Sequence, residues 1–83
     1  MSSAEDLPIG ATWKAIASNG AVAVVEKLGH RQWLGITHSA DGSNYSSSTC
    51  SSKNRAREVA RERLLRLTDD RPLPTLRRVG GKP

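Results

Sequence analysis

The side chains best equipped for chemistry collect at one junction of the chain. Ser51, Ser52, Lys53, Arg57 and Arg61 stand where the serine-rich "SSSTCSS" gives way to "KNRAREVARERLLRL". Six basic residues face two acidic ones between Lys53 and Arg66, so internal ion pairs such as Glu62 with Arg66 cannot neutralise the run. Serine hydroxyls mixed with lysine and arginine are the groups that hold backbone phosphates without reading a base. If the run is helical, the free amides of its first turn add donors and partial positive charge in the same direction. The chemistry this junction offers is phosphate binding.

Other chemistry is poorly served. His30 and His38 are the only histidines and Cys50 the only cysteine, so a metal would lack ligands and no intrachain disulfide can form. Cys50 beside a helix N-terminus and Lys53 has the setting of a stabilised thiolate, but a small, half-buried strand-end residue is the preferred reading. Five serines fall within residues 46 to 52, and none has a neighbouring base to activate it. Nucleotide-binding glycine loops, nucleophile elbows and zinc-protease helices are absent. The expectation is a protein that is not an enzyme and uses no cofactor or metal.

Charge distribution supports the phosphate reading. Residues 1–52 carry three Lys or Arg against four Asp or Glu, whereas residues 53–83 carry ten against four. The net charge of +5 therefore resides in the C-terminal third, and concentrated positive charge attracts polyanions. The sequence has no apolar run long enough to span a membrane, and "MSSAEDLPIG" is acidic with no apolar stretch of the secretory kind. A soluble, cytoplasmic protein without membrane contact is expected.

The elements that position these residues follow from periodicity. Ala56, Val59, Ala60, Leu64 and Leu67 form one apolar helical stripe, with Ser51 or Ser52 as N-cap and a stop near Thr68-Asp69-Asp70. Lys53, Arg57 and Arg61 form a separate row four residues apart. Upstream, Asn19-Gly20 between "ATWKAIAS" and "AVAVVEKL" predicts a hairpin with a two-residue type I′ turn, although a short helix over residues 12–18 is the alternative. Gly29-His30 and Asp41-Gly42 mark two further turns, and "SNYSSSTC" reads as an exposed edge strand or a loop. The predicted architecture is α+β: a three- or four-stranded antiparallel sheet with one C-terminal helix packed across one face. Residues 1–10 are expected to be a disordered leader, residues 11–69 a single domain, and residues 70–83, rich in Pro and Gly, a flexible basic tail.

The stretch "DGSNYSSSTCSSKNRAREVARERLLRL", residues 41 to 67, resembles the C-terminal half of the double-stranded RNA-binding domain, with Ser52 to Arg61 aligned to the family's basic helix start. "GHRQ" is similar to the family's histidine-bearing loop between its first two strands. Asn54 stands where the family has a second lysine, and no counterpart of its N-terminal helix precedes Ala21. The resemblance implies that Lys53 and Arg57 contact phosphates across a major groove. It also implies that His30 and Arg31 approach the neighbouring minor groove, with recognition by A-form shape. A small sheet followed by a helix also looks like the arm-binding domains of phage integrases, which implies instead that the sheet enters DNA and that Lys14, Arg31 and Gln32 matter most. The expected partner is a duplex nucleic acid, RNA or DNA; the alternative is an interaction module or small inhibitor that binds an acidic protein surface.

Overall fold

A computed structural model describes residues 7–80 of the chain. In chain order it contains β1 (Thr12–Ile16), β2 (Val22–Gly29), β3 (Gln32–His38), β4 (Tyr45–Cys50), α1 (Lys53–Leu67) and β5 (Arg77–Gly80). The strands form one antiparallel sheet in the order β4-β3-β2-β1-β5. Helix α1 lies across one face, chiefly over β2 and β3. The α+β class expected from the sequence is the class observed.

The sheet has five strands rather than three or four, and the extra one comes from the segment expected to be a flexible tail. Arg77 and Arg78 pair with Lys14 and Trp13, and Leu73 and Leu76 pack against the core on the way there. Without β5, the outer side of β1 would present a row of unpaired backbone groups. The expected leader is corrected in the same way over residues 7–10. The Gly10 amide donates to the Lys27 carbonyl at 2.8 Å, and Leu7 packs against the core. The expectation for residues 1–6 lies outside the described residues.

Residues 12–16 are strand, not helix, and the β1–β2 connection is a hairpin, but its turn is not the expected type I′. The Gly20 amide donates to the Ala17 carbonyl and the Ala17 amide to the Ala21 carbonyl, closing a three-residue loop. Only Gly20, at φ +90°, occupies the left-handed region, as in a type I turn closed by a glycine bulge. Asn19 keeps ordinary backbone angles and uses its side chain instead. Its Nδ2 donates to the Leu67 carbonyl at 2.7 Å, while its Oδ1 accepts from the Ala21 amide. Ser18 joins the same clasp, its amide donating to Asp70 Oδ2 at 2.8 Å and its hydroxyl to Asp70 Oδ1. The first hairpin is thereby fastened to the end of α1. The β3–β4 loop is held by Asp41, whose Oδ1 accepts from Ser39 Oγ, Ser43 N and Ser43 Oγ.

Strand alternation sorts residues between two unlike faces. Toward α1 point Trp13, Ala15, Ala23, Val25, Trp33 and Thr37, opposite Ala56, Ala60 and Leu64. Most of these residues are small, so the helix backbone approaches the sheet closely; a Cβ built on Gly35 would lie 3.1 Å from the Ala56 carbonyl oxygen. The opposite face carries the larger aliphatics. Ile16, Val22, Val24, Leu34 and Ile36 lie there; Ile16 is 58% exposed, Val24, Leu34 and Ile36 are partly buried, and Val22 is buried.

Candidate nucleic-acid interface

Helix α1 begins as the sequence predicts. Ser52 is the N-cap, with extended backbone (φ −143°, ψ 155°), and its Oγ accepts from the Arg55 amide at 3.2 Å. This removes one of the orphan donors of the first turn. Lys53 follows the cap directly, and its ammonium lies 4.1 Å from the centroid of the Trp13 ring. Arg78 reaches the same ring from β5, its guanidinium carbon 5.1 Å from the centroid. The Trp13 ring itself leans on Trp33, centroid to centroid 5.9 Å at 42°.

Lys53, Arg57, Trp13, Val25 and Leu76 enclose a cavity of about 140 Å³. Three cations from two distant parts of the chain thus converge around one indole. Among the described residues, ion pairs join Arg55 to Glu58 at 3.3 Å and Arg66 to Glu62 at 3.9 Å; Lys53 and Arg57 enter neither. Burial, followed by the charges of Arg57 and Arg78, pushes the Lys53 ammonium below its ordinary value. A cation held near other cations and partly out of water gains from any anion that arrives.

The other residues singled out from the sequence are distributed unevenly. Ser51 and Arg31 meet at the same end of the sheet, where they line a shallow depression with Leu28, Gln32, Thr49 and Cys50. Arg31 holds the β2–β3 turn at φ 55°, a left-handed position unusual for a side chain of this kind. His30 is exposed beside it. Arg61 lies two turns along α1 from Lys53, in a depression lined by Asn54, Arg57, Glu58 and Glu62. Two carboxylates interrupt the basic row there, so the positive field is strongest at Lys53 and Arg57. Trp13 and Arg78 are site residues that the sequence did not indicate. Trp13 belongs to no motif in the sequence, and Arg78 sat in a segment without periodicity.

Among the described residues no three His, Cys, Asp or Glu side chains gather to hold a metal, and no helix is long and apolar enough to cross a membrane. Fold and site together describe a small α+β domain with a cationic, tryptophan-backed corner. No protein-family model, curated protein or solved structure matches the chain.

Proposed function

We propose that this chain is a non-catalytic nucleic-acid-binding domain that grips the phosphate backbone of a duplex at the N-terminal corner of α1. Lys53, Arg57 and Arg78 would hold phosphates, with Ser51 and Ser52 as neutral donors and His30 and Arg31 reaching along the same end of the sheet. One observation carries the reading: three cations converge on the Trp13 corner, and Lys53 and Arg57 have no carboxylate partner among the described residues. Such an arrangement costs free energy in the isolated protein, and a phosphodiester offsets that cost. Arg61 contributes at the margin of the contact. The contact is of the kind that positions a protein without reading bases.

The test is fluorescence anisotropy with labelled duplex RNA, duplex DNA and single strands across a salt series. Affinity is expected to fall linearly on a logarithmic salt axis, with a slope of about 0.9 per neutralised phosphate on B-form DNA. Lys53→Ala/Arg57→Ala should weaken binding and flatten that slope. Absence of binding to every duplex at low salt ends the proposal.

A second reading, attachment to an acidic protein surface, is favoured by the aliphatic face opposite α1, where Ile16 is exposed and Lys14 and Arg77 are paired across the β1–β5 edge. Ile36→Gln, which removes the apolar contact without adding charge, separates the two readings. It leaves duplex affinity unchanged if the Trp13 corner is the interface, and reduces capture of an acidic protein partner if the aliphatic face is.

A further inference from the structure

The far end of α1 carries an anomaly that the Trp13 corner does not explain. Arg63 leans toward β4, and its Nη1 is buried with no hydrogen-bond acceptor. A buried guanidinium N–H is normally satisfied, because leaving a charged donor without an acceptor forfeits its hydration and returns nothing. Around it lies a cavity of about 190 Å³ lined by Thr37, Asn44, Ser46, Arg63, Arg66 and Leu67. At about 30 Å³ per water molecule, this is room for a tetrahedral oxyanion. The lining is polar on the sheet side because Ser46 is paired with Thr37 and both point toward the helix. The Thr37 hydroxyl donates to the Ala60 carbonyl at 3.3 Å, which leaves its oxygen as an acceptor only.

Stability alone does not account for both arginines. Arg66 occupies the last turn of α1, where a cation complements the carbonyl end of the helix, and it has Glu62 at 3.9 Å. Arg63 enters no ion pair among the described residues. A leucine or methionine would cover Leu67 and β4 at lower desolvation cost. What the position supplies is a guanidinium side chain in the wall of a polar cleft that has no carboxylate in its lining.

We propose that the cleft between β4 and the C-terminal half of α1 is an oxyanion site that takes a phosphate group, held by Arg63 and Arg66 with Ser46 and Asn44 as neutral donors. Arginine suits this role because its planar fork offers two parallel N–H groups to one phosphate. The site is separate from the Trp13 corner: Lys53 and Arg63 are ten residues apart, about 15 Å along a helix. It does not rest on the duplex reading, since free phosphate and a phosphodiester present the same oxygens.

The experiment is a heteronuclear NMR titration of the full chain with inorganic phosphate, and separately with a short duplex, each against chloride at matched ionic strength. Phosphate is expected to shift the Ser46 and Asn44 amides and the Arg63 side-chain N–H, and to raise the melting temperature. Arg63→Met should weaken this binding about tenfold or more, and Lys53→Ala should leave it intact. Ser46→Ala, which keeps both charges, gives a smaller loss and covers the case in which Arg63→Met does not fold. If the duplex shifts the same three groups, a phosphodiester is a source of the ligand; if only inorganic phosphate does, the ligand is free phosphate. Shifts equal to those given by chloride, or binding that survives both Arg63→Met and Ser46→Ala, overturn the proposal.

Discussion

Gly35→Ala tests how the helix is set on the sheet, and with it the position of Lys53. Gly35 lies on β3 beneath α1, and an added Cβ would stand 3.1 Å from the Ala56 carbonyl oxygen and 3.9 Å from its Cα. Both contacts are backbone, so no side chain can swing aside; the first half of α1 must lift by a few tenths of an ångström. Overpacking of this kind costs about 1–3 kcal/mol. The lower freedom of alanine in the unfolded chain returns about 0.4–1 kcal/mol. The net expectation is a loss of roughly 1–2 kcal/mol, which for a domain of this size lowers Tm by roughly 5–15 °C. Two other glycines calibrate the result. At Gly80 the new Cβ meets the Thr12 side chain at 3.5 Å or more, and at Gly29 its nearest neighbour is the Oε1 end of the Gln32 side chain at 3.0 Å. Both alanine variants should stay within about 0.5 kcal/mol of wild type. Urea and thermal denaturation followed by circular dichroism measures all three, and tryptophan fluorescence reports whether Lys53 has moved over Trp13. If Gly35→Ala is as stable as Gly80→Ala, the close approach of helix and sheet is wrong.

Lys53→Met keeps an apolar stem against Trp13 and removes the charge. It should leave stability at neutral pH undiminished while reducing duplex affinity several-fold, as salt-series anisotropy would record. Lys53 also sets a pH dependence. Between its depressed folded value and 10.5 the unfolded chain holds more of this proton, so stability rises with pH across that window, and Lys53→Met removes the rise. Asp41, hydrogen-bonded first by the Ser39 hydroxyl and then by Ser43, is held down at about 2. Its contribution is present above 3.8 and is lost as pH falls through about 2; a carboxyl NMR titration with its midpoint near 3.8 would contradict the loop geometry. Leu64→Ala, at a fully buried position under the centre of the sheet, should cost about 2–5 kcal/mol in urea denaturation, and a loss well below that range would mean α1 is not the main cover of the core.

The parts of the fold that depend on local pattern were legible in the sequence. The stripe from Ala56 to Leu67, with a serine cap before it, defined α1 because helical burial repeats within a few residues. Asn19-Gly20 and Asp41-Gly42 marked two hairpins, although the first turn used the glycine alone. Strand β5 was hidden because Leu73, Leu76 and Val79 do not alternate, and its pairing partner is β1, more than sixty positions away in sequence. For the same reason the site was half visible. Lys53 and Arg57 declared themselves as a basic helix start, whereas Trp13 and Arg78 join them only through the pairing of β1 with β5. Arg63 counted in the sequence only as one more charge; it shares a cleft with Ser46 of β4 only through the packing of α1 on the sheet.

The route by which β5 reaches its place bears on how the molecule assembles. The first four strands form a meander of short hairpins whose contacts are local and inexpensive in chain entropy, whereas β5 must close a loop that spans nearly the whole domain. Until residues 77–80 arrive, the outer edge of β1 is an open template to which another copy can add a strand. The same docking brings Arg78 to Trp13. The cationic corner and the protected edge are therefore completed in one step, and a chain that has not finished folding both lacks Arg78 at that corner and leaves an edge open to self-association.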